Sequence, residues 1–436
     1  MKLLKKIVFI VVGLIAVIAI GLYLFLAVRE SRSKGGLVHQ DSEYVTKVAV
    51  DKILTDIAWN AVSNPGTYFG GDSADTTSDS KSSRNLGISI PANVYMFALK
   101  DEEETWYAWL NVENQEQLQA FVQTELGIDS TGVEKEDDFW WINGKDNRVV
   151  LLGDSRNVLV ALSFDKKEKK EAMLKIWEGR TTAMVPIKTL TDFSFENTAD
   201  IEWKQKANDA GANLSFKKGM ITANWSLSND ILRLPLQANV RELPPSNVLN
   251  VYCQADIRPF LDRYEGRLQR YNIPVDTLKN YYGGYMDIQW RADDVLQTDS
   301  IIAYDYDENF NPIEKKEIRE EAVPNILFTF NASPHLASYL PEKMFYKFYK
   351  RIEGKQIGLS TDANEKNEFP YVSTDHAFLL SYTRNAAARR HLSWLSQFDR
   401  IEKVEISGKG GEVSNSFNAE LKLSDYGIHA LYQLLK

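Results

Sequence analysis

The chain has 436 residues, with 51 Lys and Arg against 60 Asp and Glu, a formal net charge of −9. An acidic surface repels phosphate backbones, so no nucleic-acid partner is expected. The one cysteine, Cys253, excludes an intramolecular disulfide and leaves stability to packing, for which 10 Trp, 20 Tyr and 20 Phe supply apolar surface.

Residues 1–6 contain Lys2, Lys5 and Lys6, and the 22 residues from Ile7 to Val28 carry no charge. At about 1.5 Å per residue such a run crosses a hydrocarbon core roughly 30 Å thick, so a transmembrane helix is expected over 7–28. A cleaved signal peptide is the alternative. Its apolar stretch would run about 7–15 residues and end at small residues, whereas this one is longer and ends Leu26, Ala27, Val28, Arg29, Glu30. Lys and Arg are nearly balanced across the run, so the shortness of the tail decides the orientation: residues 1–6 cytoplasmic, the rest outside. Without residues 1–28 the formal charge falls from −9 to −12, because three Lys and no acid are removed.

A polar stalk is expected over 29–42. Residues 70–83 combine Gly70, Gly71 and a run of Ser, Asp and Thr, the composition of a mobile loop. Asp72, Asp75 and Asp79 within it lack the Gly and terminal Glu of a calcium loop. The informative feature is a recurring module, a short alternating strand that ends near Asp or Asn and leads into an amphipathic helix. It occurs at Val45–Asp51 with 52–58, at Trp106–Asn111 with 115–125 and at Val158–Asp165 with 166–177. It returns at Asn250–Asp256 with 259–264, at Ile326–Asn331 with 334–340 and at Phe417–Ser424 with 426–435. The polar residue caps the helix, strand alternation supplies one buried face, and the helix stripe covers it.

Between the modules lie strand pairs with turn signals, Phe139–Lys145 into Arg148–Leu152 and Leu214–Trp225, and a third pair starts at Ser300–Tyr306. Asn143-Gly144 is the strongest hairpin signal. The expectation is an α+β fold of mainly antiparallel sheets with helices packed on one face. The Leu243–Ser246 segment, with Pro244 and Pro245, is the best boundary between two related lobes, 43–243 and 247–436.

No constellation for catalysis is evident. His39, His335, His376, His391 and His429 have no metal-ligand spacing, so neither a metal nor a cofactor is expected. Asp375 and His376 are adjacent, and neighbours on a strand point to opposite faces. Cys253 sits in a β-pattern as a buried strand thiol. The run from Asp305 to Lys316 imitates a calcium loop but has Phe310 where Gly is required and Lys316 where Glu belongs. Gly283-Gly284 and Gly408–Gly411 lack the context of a phosphate cradle. No catalytic residue can be assigned.

The order of Tyr44–Leu54, then Gly87–Phe97, then the closing strand and helix Phe417–Leu435 resembles uncharacterised anchored envelope proteins of Gram-negative bacteria, whose tandem α+β lobes form a domain of unknown function. The resemblance implies an inner-membrane location with the ectodomain in the periplasm, and it carries over no functional residue. The expected function is binding or scaffolding in the cell envelope, with the membrane engaged by the N-terminal helix and an envelope protein or a lipid as partner. The alternative is a hydrolase or transferase with a site between the two lobes.

Overall fold

The computed structural model describes residues 21, 24–70, 86–102, 104–127, 133–136, 138–196, 198–206, 210–306, 312–340, 347–365, 370–392 and 399–436. The chain divides into two units, Met1–Phe216 and Lys217–Lys436.

In the first unit, residues 24–33 form helix α1. Then follow β1 (Leu37–His39), β2 (Ser42–Val48), α2 (Val50–Ser63), α3 (Pro65–Phe69), β3 (Ile88–Ser89), β4 (Val94–Leu99), β5 (Thr105–Val112) and α4 (Gln115–Leu126). A meander of β6 (Val133–Lys135), β7 (Trp140–Asn143), β8 (Val149–Gly153) and β9 (Asn157–Ser163) leads to α5 (Lys170–Glu178) and α6 (Arg180–Ala183). The unit closes with β10 (Met184–Pro186), β11 (Ile201–Gln205) and β12 (Gly211–Lys217). Antiparallel pairing gives the sheet order β12-β11-β2-β4-β5-β9-β8-β7-β6. Asn143-Gly144 ends β7, and β7 pairs antiparallel with β8 across the loop that follows.

Successive strand residues point to opposite faces, and in this unit both faces are covered. Trp109, Trp141, Leu152 and Leu159 pack with Met173, Ile176 and Trp177 of α5. Their chain neighbours Trp140, Ile142, Leu151 and Val158 pack with Leu118 and Val122 of α4.

The second unit contains β13 (Met220–Ser228), β14 (Ala238–Arg241), β15 (Leu249–Gln254), α7 (Arg258–Arg270), α8 (Val275–Tyr281), β16 (Tyr282–Tyr306) and β17 (Pro312–Ala332). A 3₁₀ turn at Pro334–Ser338 precedes β18 (Tyr349–Glu353), β19 (Gln356–Ser360), β20 (Tyr371–Thr374), β21 (His376–Thr383) and α9 (Ala386–His391). Last come β22 (Ile401–Lys409), β23 (Ser414–Leu423) and α10 (Ala430–Leu435). The main sheet runs β13-β23-β22-β21-β15-β16-β17-β19-β18, all antiparallel, and β14 pairs separately with β20.

The two units follow one route. A first strand (β2 or β15) leads through helix to a hairpin (β4–β5 or β16–β17) laid beside it. A meander then ends in a strand (β9 or β19) paired with the hairpin's second strand, and a return strand (β11 or β21) pairs on the first strand's other side.

Three expectations are corrected. Among the described residues the fold is mainly β, with 45% strand and 28% helix, rather than the expected α+β fold. The physical reason is the hairpin β16–β17, with strands of 25 and 21 residues, together with the shortness of two expected helices. The segment after Asn331 makes only the 3₁₀ turn, and helix near the C-terminus is confined to Ala430–Leu435. The helices α4 and α5 cover opposite faces of the first sheet, not one face. The transmembrane helix over 7–28, and with it the inner-membrane location, is also corrected: among the described residues no helix is long and apolar enough to cross a membrane. Residues 1–20, 22 and 23 lie outside the described residues, as do 71–83 of the expected loop with Asp72, Asp75 and Asp79. What is described of the run's end belongs to α1, which Arg29 clamps to the first unit by a two-pronged ion pair with Asp51, at 2.7 and 2.9 Å.

Each unit buries an ion pair. Lys47 on β2 reaches Glu202, its register partner on β11, at 3.0 Å. Arg241 on β14 reaches Asp287 on β16 at 3.2 Å and also donates to the Thr329 hydroxyl on β17. Burial pushes the Asp287 carboxyl up, against the opposing pull of Arg241. Removing one partner strands the other charge in the core. Arg241→Met is therefore expected to lower unfolding free energy by about 3–5 kcal/mol in urea denaturation, and Arg241→Met with Asp287→Leu to recover most of the loss. Equal losses in the single and double variants would show that the pair is not coupled.

Candidate functional site

β15 ends at Gln254, and the chain turns through Ala255, Asp256 and Ile257 into α7. Three features shape the turn. The Ala255 amide donates to the Gly284 carbonyl at 2.9 Å, and Asp256 and Arg233 exchange backbone bonds at 2.9 and 3.3 Å. The Asp256 carboxylate accepts from the Arg258 amide at 3.1 Å and takes the Arg258 guanidinium on both oxygens at 2.8 Å. That guanidinium, foremost, holds the Asp256 carboxyl below its ordinary range.

Beside this corner lies a cavity of about 580 Å³. Its apolar lining comes from Leu234, Pro235, Ile257 and Leu278, and its charged lining is Arg233, Arg258 and Lys279 against the single acid Asp256. Lys279 is tied to Asp262 at 2.7 Å and to Glu265 at 3.3 Å, and Arg258 to Asp256, while the Arg233 Nε donates to the Asn229 carbonyl at 3.3 Å. Tyr282 completes the lining. Burial raises its phenol far above the ordinary value, with a smaller contribution from the nearby Cys253 thiol. Cys253 is buried in β15, and burial pushes its thiol up to about 11. Both groups are protonated at neutral pH, so neither supplies a nucleophile there.

The glycines of the sequence have a different use from phosphate binding. Gly283 and Gly284 are the two extra residues of a bulge between the Tyr282–Ala332 and Tyr285–Asn331 pairs. A Cβ on Gly283 would stand 2.6 Å from the Asn331 carbonyl oxygen, and Gly284 takes φ +84. Gly410 lets its turn press against the carbonyls of Leu234 and Pro235, behind the apolar wall. Sequence reasoning flagged both glycine runs and missed what they support, because each is explained by a backbone distant in sequence.

The histidines are dispersed. His39 on β1 stacks near Phe97, and burial lowers its pKa. His335 sits in the 3₁₀ turn against Tyr281, and His429 is buried beside a bridge to Lys218. His391 meets Asp294 at 2.9 Å, but Arg390 shares that carboxylate at 3.1 Å and Trp290 packs on the ring, which makes the group a clamp between α9 and β16. Asp375 and His376 do touch, at 3.0 Å, contrary to the opposite-faces expectation, because Asp375 lies in a bend between β20 and β21 rather than on a strand. The carboxylate is shared with Lys409 at an exposed position. Residues 307–311 of the calcium-loop imitation lie outside the described residues, and those flanking them are strand. Among the described residues no group of His, Cys, Asp and Glu could hold a metal ion.

No known family model, curated protein or solved structure matches the chain. The chemistry of the cavity therefore rests on its own geometry.

Burial at Cys253 gives a direct test. Iodoacetamide at pH 8 is expected to label it at least about 100-fold more slowly in the native protein than in urea. Equal rates would mean that the β15–β16 ladder does not cover the thiol. A raised thiol pKa stabilises the fold below the ordinary value of 9.0 and loses that contribution as pH rises through about 11, so Cys253→Ser should flatten the decline in stability over that window.

Proposed function

We propose that the chain is a binding protein whose site is the cavity of the second unit, and that the occupant is an amphipathic peptide segment with acidic residues on its polar side. The supporting observation is a comparison within the molecule. In the first unit the corresponding place is the end of β2, the first turn of α2 and the residues leading into β4, where Ala49, Asp51, Lys52, Ala92 and Asn93 line a cavity of about 240 Å³. Helix α1 lies against that cavity, with Leu26 and Glu30 in its lining and Arg29 on Asp51. The corresponding place in the second unit is the larger cavity of about 580 Å³, with an apolar wall and three cations.

The physics of such a site favours an apolar helix stripe laid on Leu234, Pro235, Ile257 and Leu278, with carboxylates meeting Arg233 and its neighbours. A fluorescein-labelled amphipathic helical peptide with a Glu-bearing polar face should bind at least about tenfold more tightly than its Lys-bearing counterpart. Arg233→Glu should reverse that preference, and Leu278→Trp, which fills the cavity, should weaken both. Equal binding of the two peptides, unchanged by either substitution, would rule out this site.

A further inference from the structure

The hairpin β16–β17 outgrows its sheet. β15 pairs only with 285–290 of β16, and β19 only with 327–331 of β17, whereas the hairpin itself stays in register from Asp294–Pro324 to Tyr306–Pro312. Among the described residues, positions 312–322 of β17 therefore pair with β16 alone, and the strand is exposed from Ile318 to Ala322, whereas the Pro324 carbonyl is met by the Thr361 hydroxyl at 2.7 Å. An open edge is a template for another strand, and proteins commonly block it with charge. Here the edge reads Glu314, Lys315, Lys316, Glu317, Ile318, Arg319, Glu320, Glu321, and in the middle of that charge run Ile318 is 77% exposed.

We propose that this edge pairs antiparallel with the same edge of a second copy, with Ile318 opposite itself. A two-fold axis between antiparallel strands stands perpendicular to the sheet and keeps each residue on its own face, so only registers that set a residue opposite itself are permitted. Centring on Glu317 sets Lys315 against Arg319 and Glu314 against Glu320. Centring on Arg319 sets Glu317 against Glu321. Centring on Lys316 gives one favourable pair, Lys315 with Glu317, and puts Arg319 opposite Ile313. Centring on Ile318 sets Glu317 against Arg319, Lys316 against Glu320 and Lys315 against Glu321, each pair formed twice, with the isoleucines meeting at the axis. The order of charges thus opposes the neighbouring registers and favours one, which a blocking run of charges has no need to do. The product is a four-stranded ribbon joining two copies.

Charge exchange in the full-length chain, followed by sedimentation velocity, tests the register. Glu320→Lys with Glu321→Lys makes the edge basic, and Lys315→Glu with Lys316→Glu makes it acidic. Each double variant alone should self-associate at least about tenfold more weakly than the parent, taking cross-strand charge pairs at their usual strength. An equimolar mixture of the two should associate again, as should the variant carrying all four changes. A parent chain that stays monomeric overturns the proposal. So does association that persists unchanged in both double variants, or a mixture that fails to re-form.

Discussion

The Arg241 guanidinium, held by Asp287 and Thr329, fixes the small β14–β20 ladder onto the main sheet of the second unit. A buried arginine is tolerable only where its charge is met, and the geometry that meets it is specific. The Tyr285 hydroxyl accepts from the Arg241 amide at 3.0 Å, and Asn239 donates to the Gln254 side chain at 2.7 Å, so β14 is tied to β15 and β16 together. The segment just before β14 holds Leu234 and Pro235, and the residues just before Tyr285 are the Gly283-Gly284 bulge. Two walls of the cavity are therefore set by the strands that bury the ion pair, and the site inherits the rigidity of the core behind it.

The first unit uses the same route with different chemistry at the same corner. The strand-to-helix turn there is a single residue, Ala49, against three in the second unit, and the space beside it is smaller. The carboxylate at the corner is met in both, by Arg29 from α1 in the first unit and by Arg258 from the corner's own helix in the second. An acid near a helix N-terminus is stabilised by the helix dipole and by the free amides, so a guanidinium can be added or removed there without leaving a bare charge. That tolerance lets one copy of the corner be covered by a helix and the other stay open.

Much of the local structure was legible in the sequence, because it depends on near neighbours. Alternation located β2, β5, β9, β15 and β23, and Asn143-Gly144 marked the turn after β7; of the helices expected to follow a polar cap, α4 has one in Asn114, whereas Ala49 and Ile257 stand at that place before α2 and α7, and Pro259 marks the start of α7. The helices' placement on both faces was less legible, although the uninterrupted apolar runs Val149–Leu152 and Val158–Leu162 carried the signal of strands buried on both sides. The cavity was hidden for a different reason. Arg233, Asp256, Lys279 and Gly283 meet only after three separate segments fold together, and no local pattern ties a glycine bulge to a carbonyl some 48 positions away, as Gly283 is tied to Asn331.

The long hairpin shows where buttressing stops and an edge begins. Its base is braced by Arg291 on Glu365, by Asn325 on Asp293, and by the Gln297 amide bonded to the Lys347 and Thr361 carbonyls. A bulge between Trp290 and Asp294 falls where the pairing with β15 stops. Val323, Pro324 and Asn325 are still buried, whereas Leu296 is 72% exposed and every described residue from Ile318 to Ala322 is exposed. Burial and pairing thus change together within a few residues. The bracing holds the base of the outer ladder, from which the pairing with β17 continues. An isolated two-stranded hairpin is marginal in water, and fixing its base in a packed core removes much of the entropy that would otherwise fray it.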